Sequence, residues 1–251
     1  MRLTRVYVEG PVAAGKRLVV AGSAANHITR VLRLRSGDAL TLFDGSGGEF
    51  GARIEEFRKD SVVVTVEEHR PLERESPLRL TLAQGISRGE RMDWIIQKAT
   101  ELGTSRIVPL FTKRSVVRLD EKQADRKLQH WRAIAIAACE QCGRNKVPEL
   151  AAPIDFFDVL PADASGATRL LLSPTGDLRI EDLQDVGQNT PPDMSRGITV
   201  LIGPEGGLED VEQEAALAAG FKAVRLGPRV LRTETAAIAA LTIIQRYFGD
   251  L

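Results

Sequence analysis

The sequence is poor in the residues that define several protein classes. Its 251 residues include only two cysteines, Cys139 and Cys142, which excludes a disulfide framework and favours a reducing compartment. Aromatic residues make up 5% of the chain, too few for a base-stacking platform that binds single strands. Basic and acidic residues number 34 each, which excludes nucleic-acid binding by bulk charge but not a basic patch on one face.

Long hydrophobic runs are also missing. No stretch approaches the roughly 18 uninterrupted apolar residues of a membrane helix. The first residues, Met1 to Glu9, alternate polar and apolar side chains, unlike the apolar core of a signal peptide. We therefore expect a soluble cytoplasmic protein without a membrane segment, built from one large domain or two modest ones.

The N-terminal part of the chain, up to Val66, has the pattern of short strands separated by glycine-rich or charged turns. One short helix, Ala24 to Leu34, interrupts them, with Ser23 as its expected N-cap. Several short strands with one helix are typical of a small β-barrel. The expected strands are Val6 to Val8, Leu18 to Val20, Ala39 to Phe43, Gly51 to Phe57 and Ser61 to Val66.

From residue 78 onward, strands and helices alternate, which predicts βαβ units and a mainly parallel sheet. Ser87 and Glu90 have the spacing of a capping box at the start of a helix that Gly103 ends. The expected strands are Leu78 to Ala83, Arg106 to Leu110, Thr168 to Leu172, Ile198 to Ile202 and Ala223 to Leu226. The expected helices are Arg88 to Leu102, Glu121 to Gln141, Leu208 to Ala219 and Thr235 to Phe248.

Two polar segments interrupt these patterns. Arg70 to Pro77 separates them, so we expect two domains, residues 1–72 and residues 73–251, in a mixed α/β protein. Gly176 to Arg196 carries several Gly, Asn and Pro residues, and we expect this loop to be mobile.

Three glycine clusters compete as ligand-binding loops. The first, Asp44 to Gly48, superficially resembles the acidic glycine loop of a nucleotide-binding fold, but such a loop must open a helix. Here Glu49 to Phe57 continues as a strand, so the pattern favours a hairpin turn.

The second cluster, Gly203 to Gly207, directly follows an apolar strand and precedes a helix. Open α/β sheets bind ligands at the carboxyl ends of their parallel strands, and glycine lets the backbone approach a ligand closely. The cluster lacks the Gly-Lys-Ser/Thr ending of a phosphate loop, and Glu205 would repel a phosphate. It indicates a ligand that has no phosphate group, and a positively charged ligand would fit best beside Glu205. A plain strand-to-helix turn has the same spacing.

The third cluster, Leu226 to Ala236, again joins a strand to a helix, so we expect the two loops to lie side by side at one edge of the sheet. It contains two charged residues, Arg232 and Glu234, that are candidates for function. The alternative is that they are ordinary charges of a capping turn.

The second and third clusters together resemble the RsmE family of S-adenosylmethionine-dependent methyltransferases, which act on N3 of a uridine in small-subunit (16S) ribosomal RNA. Further matching segments are His27 to Leu34, Arg91 to Gly103, and Glu140-Gln141 with Arg144. The resemblance covers nearly the whole chain and departs at Pro228 and in the Gly176 to Arg196 loop. It implies a PUA-like β-barrel followed by a SPOUT α/β domain, in which a trefoil knot forms the cofactor pocket and two subunits form a homodimer.

The resemblance also implies a substrate and a cofactor: ribosomal RNA within the assembled 30S subunit, and S-adenosylmethionine, with no metal. This cofactor has no phosphate and carries a sulfonium cation, in agreement with Glu205 in the loop. The candidate cofactor-binding residues are Leu172, Ile202, Gly203, Pro204, Glu205, Gly206, Gly207, Leu226, Gly227, Leu231, Thr235 and Ala236.

Methylation at N3 of uracil requires loss of the N3 proton, and the negative charge then spreads onto O2 and O4. A fixed guanidinium stabilises such a developing charge, and Arg232 is the candidate. Glu234 is the candidate for orienting Arg232 or for accepting the proton.

Basic residues form the candidate RNA contacts. Arg30, Arg33 and Arg35 precede a stretch, Arg106 to Arg132, with eight basic residues and three acids, and together these predict a basic track for structured RNA. For Lys122, Arg126 and Lys127, a solvated helix face explains the pattern equally well. The candidate contacts are His27, Arg30, Arg33, Arg35, Arg91, Arg114 and Arg144.

Other interpretations explain less. Cys139 and Cys142 have the spacing of a redox or zinc pair, but no second pair exists, and the C-terminus of a helix raises a thiol pKa, so we expect packing thiols. His27, His69 and His130 are too dispersed for a metal site. A non-catalytic RNA-binding protein leaves the two glycine loops unexplained, and a nucleotide-dependent enzyme lacks its phosphate loop.

Overall fold

The computed structural model describes residues 4–115, 120–161, 166–184 and 196–251. Arg118 of the basic stretch and residues 185–195 of the long loop lie outside the described residues. The chain divides into two compact units. The first comprises Met1–Glu75 with Ile136–Val147, and the second comprises Ser76–Ala135 with Pro148–Leu251.

The first unit contains a curled five-stranded sheet with the strand order β1-β3-β4-β5-β2. β1 pairs with β3 in parallel, and the other pairs are antiparallel. β1 and β2 are the two edges, so the sheet is a curled half-barrel, in agreement with the predicted small barrel-like domain. The strands are β1 (Arg5–Tyr7), β2 (Arg17–Ala21), β3 (Ala39–Phe43), β4 (Glu49–Phe57) and β5 (Ser61–Arg70).

Apolar side chains on one face of the strands build the core of this sheet. Val62, Val64 and Val66 of β5 are buried, and β-branched side chains of this kind pack well on a pleated surface. The register between β4 and β5 shifts at two places, and such bulges increase the local bend of a sheet. Asp44 to Gly48 joins β3 to β4 as the predicted hairpin turn.

The helical segment of the first unit differs from the prediction. Helix α1 (Gly22–Asn26) continues into a π-helical turn, His27–Val31. Ala21 is the N-cap and no side chain caps the helix, so the prediction of Ser23 as the cap is wrong: the helix begins one residue before Ser23. The turn is followed by Arg33 at φ 53°, the only residue other than glycine with a positive φ among those described.

A buried polar network ties residues 144 and 145 to the sheet of the first unit. Arg5 and Glu49, each at most 5% exposed, form an ion pair. The Arg5 guanidinium also donates to the carbonyl oxygen of Arg144 at 3.0 Å and to Oδ1 of Asn145 at 2.7 Å. These contacts explain why residues 136–147 belong to the first unit although they lie far along the chain.

The second unit contains an eight-stranded sheet in which every described strand pair is parallel, as predicted. Its order is β11-β13-β10-β12-β6-β7-β8, with β9 also paired to β7. The strands are β6 (Leu80–Gly85), β7 (Arg106–Phe111), β8 (Glu149–Leu150), β9 (Ile154–Asp155), β10 (Thr168–Leu172), β11 (Leu178–Arg179), β12 (Ile198–Ile202) and β13 (Lys222–Arg225).

The helices also follow the predicted alternation. They are α2 (Glu90–Glu101), α3 (Glu121–Cys142), within which the division between units falls, α4 (Asp210–Ala218) and α5 (Thr233–Phe248). Part of the loop that begins at Gly176 has regular structure, because its described residues include β11 and a 3₁₀ turn at Glu181–Gln184. In the part of the chain that the structure describes, no helix is long and apolar enough to cross a membrane.

Helix α2 has the predicted apolar face but not the predicted cap. Met92, Ile95, Ile96 and Ala99 are buried. The prediction of a capping box at Ser87 and Glu90 is wrong. The N-cap is Gly89 at φ 60° and ψ −137°, a conformation that favours glycine.

The strand order explains where ligand-binding loops can meet. The carboxyl ends of parallel strands lie at one sheet edge, and β10 separates β12 from β13. The second and third glycine clusters, which follow β12 and β13, therefore meet at one edge as predicted, but with the end of β10 between them. Strand order alone does not decide whether the chain passes through a loop, so the trefoil knot stays a prediction.

We expect Arg5→Ala to destabilise the protein strongly, because it leaves the buried Glu49 carboxylate without its main partner. Removing one member of a buried ion pair costs about 3–5 kcal/mol. Arg74, 3.4 Å from the same carboxylate, favours the lower end of this range. Urea denaturation measures the change.

Arg17→Ala is the matched control, since Arg17 forms its ion pair with Glu55 at the surface. Such pairs contribute about 0–1 kcal/mol. Equal losses in the two variants would contradict a structural role for the buried network.

Candidate active site

A cavity of about 540 Å³ opens at the carboxyl edge of the parallel sheet, within the second unit. This volume lies within the range of small-molecule sites. Eleven of the twelve predicted cofactor-binding residues line it, as do Arg91, Arg232 and Glu234. Thr235 does not: it is exposed, because the step of about 100° along α5 turns it away from its neighbours Glu234 and Ala236.

Gln84, at the end of β6, holds the two glycine loops together from the buried side. Its amide nitrogen donates to the carbonyl oxygen of Gly203 at 3.3 Å and to the Thr233 hydroxyl at 3.1 Å. The Thr233 hydroxyl in turn donates to the same Gly203 oxygen at 2.7 Å. The first turn of α5 is thereby fixed against the loop that follows β12.

Close backbone packing explains why glycine is needed beside this network. A Cβ atom at Gly85 would lie 2.5 Å from the backbone nitrogen of Pro204, which no side chain can accommodate. Gly227 has a φ of 141°, which side chains rarely adopt, and a Cβ atom there would meet no atom within 4 Å. The end of β6 thus packs directly on one loop, while the other loop leaves open space beside Gly227.

The Glu205 carboxylate is engaged by the protein itself. Its Oε1 accepts hydrogen bonds from the N–H of Arg88 at 2.9 Å and from the Arg91 guanidinium at 2.8 Å. Burial alone would raise the pKa of Glu205, but these hydrogen bonds and the charge of Arg91 together lower it. Arg91 thus balances the charge of Glu205, and the carboxylate is part of the loop structure.

Glu234 presents a different environment. Its Oε1 lies 3.9 Å from Nε of Arg91, while its Oε2 is buried and has no hydrogen-bond partner. Arg232, the N-cap residue of α5, is exposed and makes no side-chain cap. Among the described residues, the ion pair of Glu234 is with Arg91 and not with Arg232.

Arg114 lies against the second glycine cluster. Its guanidinium donates to the carbonyl oxygen of Gly206 at 3.2 Å, and its side chain is exposed. The N–H of the preceding Lys113 donates to the buried carboxylate of Glu212 at 2.8 Å. The turn after β7 is therefore seated on the loop that lines the cavity.

Several lining residues were not predicted. Ser173 and Pro174 follow β10, and the rule that points to the ends of β12 and β13 would have found them had the strand order been known. Gln84 and Glu212 support the site without lining the cavity, and they carry no signal in the sequence because their roles depend on contacts with distant segments. The other additions to the lining are Leu208, Gln213, Arg229, Val230 and Thr233.

The predicted RNA contacts of the first unit cluster around its short helix. Arg30, Arg33 and Arg35 are exposed, and no ion pair involves them among the described residues. His27, in the same turn, is half-buried, with its ring nitrogen 3.8 Å from a carboxylate oxygen of Glu140. Burial raises the pKa of Glu140. The hydrogen bond from the N–H of Tyr7 and the charges of His27 and Arg5 lower it, but burial has the larger effect.

Arg144 is placed differently from its prediction as an RNA contact. It is 4% exposed, and its Nη2 donates to the Glu75 carboxylate at 2.7 Å. A guanidinium buried against a carboxylate cannot reach RNA, so the matching sequence segment marks a structural ion pair.

The cysteines and histidines offer no second site. Cys139 is free and buried, and burial raises the pKa of its thiol to about 12. This agrees with a packing thiol, although burial and not the helix terminus is the main cause. Among the described residues, no three His, Cys, Asp or Glu side chains group as metal ligands would.

Two family models match different parts of the chain. Residues 74–245 match the family model of an RNA methyltransferase domain, and residues 20–67 match that of an RNA methyltransferase PUA domain. A structure from Legionella pneumophila with the bound cofactor SAM is 41% identical over 100% of both chains, with a TM-score of 0.92. Ribosomal RNA small subunit methyltransferase E from Neisseria gonorrhoeae, bound to S-adenosyl methionine, is 36% identical over 99% of both chains, with a TM-score of 0.88.

Sequence relatives carry the same name. Ribosomal RNA small subunit methyltransferase E of Buchnera aphidicola (strain Sg) is 33% identical over 100% of this chain and 98% of the relative. The Bacillus subtilis protein of that name is 34% identical over 90% of this chain and 88% of the relative. With both the full length and the methyltransferase domain matched, the chain belongs to the ribosomal RNA small subunit methyltransferase E family.

Proposed function

We propose that this protein transfers a methyl group from S-adenosylmethionine to N3 of a uridine in small-subunit ribosomal RNA. One observation carries the proposal: within the second unit, a cavity formed by two glycine loops brings Arg232 and Glu234 to the same wall. Family membership and the relatives solved with bound cofactor support it.

The residues present fit S-adenosylmethionine. The cavity has apolar walls for an adenine, among them Ile202, Leu226 and Leu231, and glycine backbone that can hydrogen-bond its edge. It lacks a phosphate-binding lysine, in agreement with a cofactor that has no phosphate. When bound, the cofactor supplies the electrophilic methyl group, and the protein must orient it and prepare the nucleophile.

Arg232 and Glu234 account for the preparation of the nucleophile. N3 of uracil forms a bond to the methyl carbon as the carbon–sulfur bond breaks, and S-adenosylhomocysteine leaves. Glu234 accepts the N3 proton, a role that its place in the lining of the cavity supports. Arg232 stabilises the negative charge that spreads onto the uracil oxygens.

Residues 1–72 act as the RNA-binding domain in this proposal, and residues 73–251 as the catalytic domain. In the part of the chain that the structure describes, Arg30 and Arg33 form no ion pair, whereas the exposed arginines Arg53 and Arg58 pair with glutamates. Arg33 also holds a φ of 53°, and residues in such conformations cluster at functional sites. Both observations favour a phosphate contact at the end of this helix.

The setting of the reaction follows from the resemblance. We propose that the substrate is the assembled 30S subunit, that two copies form a homodimer, and that the protein works in the cytoplasm without a metal. Proton removal by Glu234 and charge stabilisation by Arg232 need no metal ion.

We expect Gly227→Val to weaken S-adenosylmethionine binding, because the side chain enters the space beside the cavity wall. A loss of about tenfold or more corresponds to at least about 1.4 kcal/mol, and calorimetry measures it. Gly220→Val is the matched control: Gly220 also has a positive φ of 89° and open space around its Cβ position, but does not line the cavity. Undiminished binding in Gly227→Val would place the cofactor elsewhere.

Arg232→Ala should preserve cofactor binding and lower the single-turnover rate by about 10² to 10³, the usual effect of losing one charge-stabilising donor. Arg232→Lys should recover only part of the rate, because an ammonium lacks the planar fork of a guanidinium. Raising the pH should partly rescue Arg232→Ala, since a deprotonated N3 needs less stabilisation. Methylation of small ribosomal subunits across pH measures both variants.

Arg246→Ala is the control for this prediction. Arg246 is an exposed arginine in the last turn of the same helix and does not line the cavity. A rate in Arg232→Ala that matches the wild type would remove Arg232 from the mechanism.

Replacing Arg30, Arg33 and Arg35 together by alanine should weaken RNA binding and flatten its salt dependence. Each lost phosphate contact lowers the slope of log K against log salt by about 0.7–0.9. Cofactor affinity should stay unchanged. Arg53→Ala with Arg58→Ala is the control, because both arginines are exposed and already paired. An unchanged slope in the triple variant would exclude this helix as an RNA contact.

A further inference from the structure

The buried carboxylate of Glu212 has no part in the chemistry described so far. It lies in the first turn of α4 and is 0% exposed. Its Oε2 accepts the N–H of Glu209, and its Oε1 accepts the N–H of Lys113. A carboxylate needs hydrogen bonds to compensate for burial. Glu212 accepts two, and each comes from a backbone N–H group of a different segment.

The Glu209 bond is an ordinary helix-capping contact, but the Lys113 bond is not. Lys113 lies 99 positions earlier in the chain, in the turn after β7. That turn is closed internally: the N–H of Ser115 donates to the carbonyl oxygen of Thr112 at 3.0 Å, and the Ser115 hydroxyl accepts the N–H of Thr112 at 3.2 Å. Glu212 therefore holds a preformed turn and not a loose loop.

The same turn also contacts the second glycine cluster. A Cβ atom at Gly206 would lie 3.0 Å from Cβ of Arg114 and 3.3 Å from its carbonyl oxygen. The Arg114 guanidinium donates to the carbonyl oxygen of Gly206, which lines the cavity. Two contacts, one buried and one at the rim, thus fix the turn beside the proposed methyl-transfer site.

We propose that Glu212 is a positioning residue for RNA: it seats the turn Thr112–Ser115 so that Lys113 and Arg114 receive a phosphate next to the target nucleotide. Both side chains are exposed, and no ion pair involves either of them among the described residues. A cation that is fixed in place loses less conformational entropy on binding than one on a flexible loop. This inference rests on the proposed function, since it assumes RNA at the mouth of the cavity.

The test is a double-mutant cycle read through salt dependence. Binding of small ribosomal subunits that lack the methylation is measured at several salt concentrations for Glu212→Gln, Arg114→Ala and the double variant. Arg114→Ala should reduce the salt slope by about 1, as loss of one phosphate contact does. Glu212→Gln should reduce it by a similar amount, because an amide has one acceptor oxygen for two backbone N–H donors, and the NH2 group that replaces the other oxygen loosens the seat of the turn. The double variant should lose less than the sum of the two single losses, because Glu212 and Arg114 act on the same contact.

Two controls separate positioning from simple stabilisation. Glu214→Gln makes the same chemical change at an exposed site of the same helix. Glu209→Pro removes the capping N–H at a residue whose φ of −72° suits proline, and leaves the Lys113 bond in place. Both should keep the wild-type slope. If Glu212→Gln does not fold, Ser115→Ala, which opens the turn from its other end, takes its place in the cycle.

Additive losses in the cycle, or a wild-type slope in Glu212→Gln or Ser115→Ala, would overturn the inference. Calorimetry with S-adenosylmethionine should give unchanged affinity for all of these variants. A wild-type protein that does not methylate small subunits would instead contradict the proposed function, so the two failures are distinguishable.

Discussion

The carbonyl oxygen of Gly203 is the point on which the candidate active site depends. It accepts hydrogen bonds from Gln84 at the end of β6 and from Thr233 at the start of α5. The parallel sheet brings the strand ends to one edge, but it does not by itself orient the loops that follow them. These bonds do, because they join the end of one strand, the loop after another, and the first turn of the last helix. Arg232 and Glu234 are the chain neighbours of Thr233, so the bonds that fix Thr233 also fix their backbone.

Much of the fold was predictable, since periodicity reports burial. The strand Ile198–Ile202 and the apolar face of α2 follow directly from the spacing of their apolar residues. Caps were less predictable. Ser87 with Glu90 has the spacing of a capping box, yet Gly89 takes a conformation that favours glycine and becomes the N-cap instead. A capping motif specifies residue types, whereas the local backbone decides which residue begins the helix.

The residues of the candidate site that follow strand ends could be predicted from the sequence. Those whose role depends on contacts with distant side chains could not. Glycine clusters after β12 and β13 identify the cavity, but strand order is a tertiary property, and so the end of β10 with Ser173 was missed. Charged residues were the least predictable. Glu205 is bound by Arg91, and Arg144 is buried against Glu75, whereas Arg30 stays free. Residue type and spacing are similar in these cases, and only the partner separates a ligand contact from an internal ion pair.

The pairing of charges also explains why Glu234 differs from the other acid of the cavity. Arg91 makes a short hydrogen bond to Glu205 and stands 3.9 Å from Glu234, so the two carboxylates share one guanidinium unequally. Leaving a buried acceptor such as Oε2 of Glu234 unsatisfied costs about 1–3 kcal/mol. The unequal sharing thus keeps Glu205 as part of the loop and leaves the carboxylate of Glu234 only weakly engaged by Arg91.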